Sequence, residues 1–427
     1  VSANVDNPVA REAAQARPED SLLGKGMEDG VRDHFRAYVR RVRGGEMGAL
    51  PAIGGLVVLF IVFGFAHDLF LSQRNMANLL TQAAPLVMLG MALVFVLLLG
   101  EIDLSAGVTF GVSMASFVRL TQPDGLSWPL ALAIALGIGL AIGGFIGFFV
   151  ARVGIPSFVV TLGMFLGLQG VLLVIIGDAG AYRLIPAPVK ALNTSNLPVW
   201  AGWLMLVGVL ALLAGVALWD RARRRAAGAP NPPISIMLAK LAGIAVVGVA
   251  AVWFLSQDRG SGAIPIRGVP IVVPVVLGFA MIATFLLDRT RYGRYLYAIG
   301  GNREAARRAG INVTAVRWTA FVLCSTVAVL AGLFYVSRVG SADAGMGREI
   351  VLSGVAAAVV GGVSLFGGRG RLVHAIIGAL VIATIQNGMG LLGLPAGTVL
   401  AVSGGVLILA ATVDALARRR SGGVVVT

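Results

Sequence analysis

Residues 268–288 read GVPIVVPVVLGFAMIATFLLD, residues 289–313 read RTRYGRYLYAIGGNREAARRAGINV, and residues 314–338 read TAVRWTAFVLCSTVAVLAGLFYVSR. The first and last are almost continuously apolar, and each reaches the roughly twenty residues that a bilayer-crossing helix needs. The stretch between them is polar. From Asp288 to Arg317 the chain carries seven arginines against two acids, Asp288 and Glu304. Apolar, basic, then apolar again is the pattern of a polytopic membrane protein. The apolar runs are continuous and lack a two-residue alternation, which favours helices over barrel strands.

The rest of the chain repeats the pattern. Of its 427 residues 57% are hydrophobic and 13% charged, about half the usual charged fraction of soluble domains. The net charge of +14 would point to nucleic acid in a soluble protein. Here no basic stripe is interleaved with aromatics, and cytoplasmic loops of membrane proteins collect Lys and Arg in any case. A nucleic-acid partner is therefore not expected. Cys324 lies within an apolar run and reads as a packing residue. His34, His67 and His374 share no ligand spacing, so no metal site is expected. Residues 1–46 have no apolar core of a signal peptide and read as a polar, disordered cytoplasmic tail.

Counting runs of sufficient length gives twelve candidate spans: 48–70, 76–99, 103–120, 128–151, 155–177, 198–219, 233–256, 268–288, 314–338, 349–366, 371–392 and 395–416. The third and tenth are short and contain glycine, so either can be a re-entrant or broken helix. The expected fold is an all-α bundle of 10–12 transmembrane segments occupying 47–418, with 419–427 a second tail. With the N-terminus inside, 25 of the 34 Lys and Arg fall on the inner side and eight on the outer. That asymmetry places both termini and the 288–317 segment in the cytoplasm. The outer segment Asp178–Leu197 reads equally as a surface for an extracytoplasmic partner or as a connecting loop. No Gly-x-x-x-x-Gly-Lys-Ser/Thr loop occurs, so the chain is not expected to bind ATP itself. Gly-x-Ser-x-Gly with histidine and His-Glu-x-x-His are absent as well, and no catalytic residue is expected.

Within the basic segment, Gly300 to Asn312 reads as a short helix between turns. Asn302 suits its N-cap, Glu304 its first turn, and Gly310 its C-terminal stop. Ala305, Ala306 and Ala309 are small enough to enter a groove on a partner; a solvated interfacial helix is the plainer reading. At this point the chain resembles the permeases of bacterial ABC importers. Glu304-Ala305-Ala306 with Gly310 is similar to their coupling-helix motif. The flanking Tyr297 to Asn302 and Gly310 to Val313 resemble the monosaccharide permeases, as does Gly100-Glu101-Ile102-Asp103-Leu104-Ser105. Glu101, the extra apolar pair around 198–256 and the basic linker Asp220–Arg225 resemble the D-xylose permeases in particular. The Ile-x-Leu-Pro ending of the general motif is absent.

That resemblance implies a bacterial inner-membrane subunit that forms the pore as a homodimer within lipid. It implies a separate cytoplasmic ATPase that uses ATP and Mg2+, and a periplasmic sugar-binding protein; this chain itself would bind no cofactor. Gly300, Asn302, Glu304, Ala305, Ala306 and Gly310 would couple to the ATPase. Ribose, galactose or a nucleoside is the alternative cargo, and a secondary sugar transporter the alternative mechanism.

Two further groups of residues draw attention. Gly100, Glu101, Asp103 and Ser105 lie where the second and third apolar runs meet, and read as a capped helix break or as a gate. No buried basic partner for Glu101 is evident, which argues against proton coupling. A sugar path needs amides and hydroxyls more than charges. Gln82, Gln169, Gln386 and Asn387 all fall in the outer halves of their spans and are the candidates. Helix-to-helix hydrogen bonds would explain them equally well. Gln386-Asn387 is the first choice, as adjacent amides flanked by Gly388 and Gly390.

Overall fold

The computed structural model describes residues 48–420 apart from 184, 230, 261, 263 and 264. The proposed tail at 1–46 and the last seven residues of the chain lie outside the described residues. The helices are α1 (Leu50–Ala66), α2 (Gln73–Leu97), α3 (Ala106–Leu120), α4 (Trp128–Gly147), α5 (Ser157–Ile176), α6 (Ala187–Thr194), α7 (Val199–Ala226), α8 (Ile234–Ser256), α9 (Val272–Arg289), α10 (Arg291–Gly301), α11 (Arg303–Arg308), α12 (Val313–Val339), α13 (Arg348–Gly361), α14 (Leu372–Leu391) and α15 (Ala396–Arg420). Among the described residues, strand is confined to β1 (Ala181–Tyr182) and β2 (Ala342–Asp343), which pair antiparallel with Ala181 opposite Asp343.

Eight helices among the described residues are long and apolar enough to cross a membrane: α2, α4 with the π-helical turn Phe148–Val153 that follows it, α5, α7, α8, α9, α12 and α14. α1, α3 and the apolar part of α15 are shorter. The chain is a polytopic all-α membrane protein. The two runs expected to be short are so: α3 has 15 residues and α13 has 14. Such helices are roughly 21–23 Å long, less than the hydrocarbon thickness of about 30 Å.

Residues 206–248, the inner parts of α7 and α8 with their basic linker, form one compact unit. Arg221 Nη1 donates to Pro232 O at 2.6 Å and closes its turn. All that follows concerns the other unit.

In that unit α2 is the axis. Of its apolar window 89% is buried, against 22% for α5, because α12, α13 and α14 all pack around it. Its start is fixed by Ser72, whose Oγ accepts from Asn75 N at 3.2 Å. Pro85 inside it supplies no N–H and so leaves the Thr81 carbonyl without its helical donor.

α3 and α13 meet at their N-terminal ends, where Gly107 lies against Gly347. A Cβ on Gly107 would stand 2.2 Å from Gly347 O. Before α13 the chain from Ala342 to Gly347 is not helical, yet Ala342 and Met346 are buried. Irregular backbone inside a membrane protein has to find its hydrogen bonds within the protein. Here the β1–β2 pair supplies some, and Gln169 Nε2 of α5 donates to Ala344 O at 2.7 Å.

Candidate functional site

The basic segment folds as two helices separated by one residue. Thr290 Oγ1 caps α10 by accepting from Gly293 N at 3.3 Å. Asn302 Oδ1 caps α11 by accepting from Ala305 N at 2.9 Å. α11 ends in a paired stop: Gly310, at φ +80°, donates its N–H to Arg307 O, and Ile311 donates to Ala306 O. Asn312 then caps α12 through Ala315 N. Each turn is thus set by a residue type that the local sequence displays. Glu304 holds Arg308 at 3.3 Å and Arg307 at 3.7 Å, and all three side chains are exposed. Ala305 and Ala309 face outward, whereas Ala306 is buried against the core. Only two of the three alanines are therefore exposed.

Behind this segment lies an ion cluster that the sequence reading missed. Glu101 Oε1 accepts from Arg317 Nη2 at 2.6 Å, from Arg317 Nε at 3.0 Å and from Arg303 Nη2 at 2.7 Å. The Glu101 and Arg317 side chains are 7% and 10% exposed. The expectation that Glu101 has no buried basic partner is therefore corrected. The partner lies 216 residues away in sequence, and Arg317 had counted only as the last cation of the insert.

Next to the cluster three stretches of backbone touch. Gly368 N donates to Leu98 O at 2.9 Å, and a Cβ on Gly300 would stand 1.8 Å from that same oxygen. Tyr297 OH donates to Gly370 O at 2.9 Å. Burial, and then the Asp288 carboxylate, push the phenol up to about 12, so it stays a donor at any ordinary pH. The glycines after α13 thus form the seat of α10. Gly100, at φ +74°, opens the break between α2 and α3. Asp103 Oδ1 accepts from Ser105 N at 2.9 Å and Ser105 Oγ at 2.6 Å, and Thr161 Oγ1 of α5 donates to Ile102 O. Gly100, Glu101, Asp103 and Ser105 thus lie in a break between helices that Ile102 ties to α5.

A polar cavity of about 300 Å3 opens beside the first half of α2. Leu86 on its wall is roughly 17 Å along α2 from the helix end near Glu101. Gln82 and Gln386 line it together with Tyr335, Arg338, Glu349 and Ser353. Asn387 does not. It is buried and exchanges two hydrogen bonds with Asn75, at 2.9 and 3.0 Å, while its Nδ2 also donates to Gln82 Oε1 at 3.2 Å. Successive helix residues point about 100° apart, so the adjacent amides of Gln386 and Asn387 cannot share a face. Gln169 is likewise engaged elsewhere, on Ala344 O. Arg338 had been counted only as an outer cation and Glu349 had not been singled out, and no local signal marks either as a cavity residue. A larger groove of about 550 Å3 runs along α1 between Leu56, Phe60 and Leu71, but its lining is apolar and offers a polar solute nothing.

The amide geometry makes one prediction. Asn387→Leu leaves the buried Asn75 Oδ1 without its donor and is expected to cost about 1–3 kcal/mol. Gln386→Leu, at the cavity wall, is expected to stay within about 0.5 kcal/mol of the parent. Thermal unfolding in detergent compares the two, and equal midpoints would show that the buried amide pair contributes nothing.

Residues 75–411 match the family described as branched-chain amino acid transport system / permease component. The chain is 35% identical over 377 residues to the xylose transport system permease protein XylH of Escherichia coli (strain K12), covering 86% of this chain and 92% of that protein. XylH of Haemophilus influenzae is 32% identical, over 84% and 94% respectively. The ribose import permease protein RbsC of Escherichia coli (strain K12) is 30% identical, over 84% and 91%. No solved structure matches the chain.

Proposed function

The chain belongs to the branched-chain amino acid transport system / permease component family, and on that premise we propose that it is the membrane-spanning subunit of an ATP-driven importer for D-xylose. It is a multi-pass inner-membrane protein. Relatives named for xylose and for ribose support a monosaccharide as cargo, and the higher identity to the former favours xylose. The ATPase is a separate cytoplasmic subunit that uses ATP and Mg2+. A periplasmic binding protein delivers the sugar, and two copies of the chain pair within the lipid to enclose the path.

The observation that carries the coupling half of this reading is the display of α11. Glu304 and Ala305 face outward from a helix whose two ends are fixed and whose inner face rests on the bundle, and Ala309 is exposed just past its end. Phe366, 75% exposed, stands in the loop that seats α10. Aromatic residues are enriched at protein interfaces. Glu304→Arg combined with Ala305→Trp changes only exposed positions. The variant is expected to fold and to lose both ATPase co-purification and ATP-driven xylose uptake. Retention of the ATPase by the folded double variant would remove α11 from the interface.

One observation favours a second reading, an ion-coupled carrier: a buried acid–base pair does exist, Glu101 with Arg317. It lies beside the basic segment and away from the polar cavity, which suits a structural tie better than a coupled binding site. Xylose uptake by vesicles that hold the permease without any ATPase would establish the carrier in place of the importer.

A further inference from the structure

We infer that the permease carries its own sugar-binding site, in the cavity lined by Gln82, Gln386, Arg338, Glu349 and Ser353, and that the ligand is a neutral polyhydroxylated ring of pentose size. The inference rests on the importer reading and deepens it, since a pore subunit need only let solute pass.

Three observations carry it. The first is size: about 300 Å3 lies at the lower end of small-molecule sites and suits a ligand as small as a single sugar ring. The second is the donor and acceptor inventory. Asn387 Nδ2 occupies Gln82 Oε1, which leaves the Gln82 NH2 group to face the cavity as a donor. Gln386 presents a donor and an acceptor, Ser353 a hydroxyl, Glu349 two acceptor oxygens and Arg338 several donors. The third is charge. Arg338 and Glu349 face the same space, so their charges offset each other and favour a neutral ligand over a sugar acid or sugar phosphate. Tyr335, Pro85, Leu86 and Ile350 also stand on the wall and can cover the apolar face of a sugar ring.

The order of the parts is consistent with this use. The Asn75–Asn387 pair fixes Gln82 from behind, and Gln169 fixes the irregular chain that delivers Gly345 and Gly347 to the cavity. Asn75, Asn387 and Gln169 are thus positioning residues, while Gln386, Ser353, Glu349 and Arg338 would touch the ligand.

The chain supplies a convenient test. Its single cysteine, Cys324, is fully buried, so an introduced thiol at the cavity is distinguishable from it. Ser353→Cys in the full chain, purified in lipid nanodiscs without the ATPase or binding protein, is treated with a small methanethiosulfonate. D-xylose is expected to slow the labelling in a saturable way, and cyclohexanol, of similar ring size but with one hydroxyl, is not. Adding Gln386→Leu is expected to raise the half-protecting xylose concentration about tenfold, the loss of roughly one net hydrogen bond. Glu349→Cys, at an exposed position, replaces Ser353→Cys should the latter fail to fold. Labelling that xylose does not slow overturns the site, as does a failure of both cysteines to label, or equal protection by cyclohexanol. ATP-driven uptake by the parent chain with its ATPase and binding protein separates the two levels. Uptake without protection removes the site and leaves the importer, whereas absence of ATP-driven uptake removes the importer itself.

Discussion

Glu101→Leu is expected to destabilise the folded chain by about 3–5 kcal/mol, the usual cost of leaving one half of a buried ion pair uncompensated. Three hydrogen bonds end on a single oxygen of this carboxylate, and two of them come from Arg317, whose side chain is 10% exposed. Arg303 is 45% exposed and can turn to water when Glu101 is gone; Arg317 is almost enclosed and cannot. The loss should therefore be charged almost entirely to Arg317. Glu101→Leu with Arg317→Met removes both charges and should recover most of the stability, since apolar packing often matches a buried pair. The double variant nevertheless severs the tie between the α2–α3 break and the start of α12. Restored unfolding temperature with lost ATP-driven uptake is the expected result. A double variant that transports like the parent would reduce the cluster to packing.

Gly300→Val is the second large effect expected. Its Cβ would lie 1.8 Å from Leu98 O and 2.5 Å from Gly368 N, atoms already joined by a 2.9 Å hydrogen bond. Both neighbours are backbone, so no rotamer change relieves the clash. Either α10 lifts from its seat or the Gly368 N–H loses its acceptor. A cost of about 4 kcal/mol or more is expected, in the range that marks a specific structural fault. The control is one residue away. A Cβ on Gly301 meets nothing within 4 Å, so Gly301→Ala should be nearly neutral and slightly helix-favouring. Folded yield after detergent extraction, followed by size-exclusion profile, compares the two. Equal behaviour of the two variants would contradict the close approach at Gly300.

Legibility in the sequence followed distance along the chain. The short lengths of α3 and α13 were readable because apolar runs and glycines are local. Asn302, Gly310 and the helix they bound were readable for the same reason. Pairings across long separations were not. Arg317 looked like one more topological cation until the fold set it on Glu101. Asn387 looked like half of a path-lining pair because its face depends on where α2 packs, which α14 alone does not reveal. Arg338 looked like one more outer cation and Glu349 drew no notice, since the non-helical chain between them has no local signature of its burial. The family resemblance was carried by two short motifs, and both prove to lie at the same place, where the α2–α3 break meets α10 and α11.

That meeting point has a mechanical consequence. Side chains between two elements act as soft springs, because each can change rotamer and absorb part of any displacement. At Gly300, Leu98 and Gly368 the contact between α10, the end of α2 and the loop after α13 is made by peptide groups alone, with Tyr297 the side-chain tie beside it. Contacts of this kind have almost no compliance. A displacement of α10 would meet backbone on both sides, so little of it can be absorbed at that contact, as at a bolted joint.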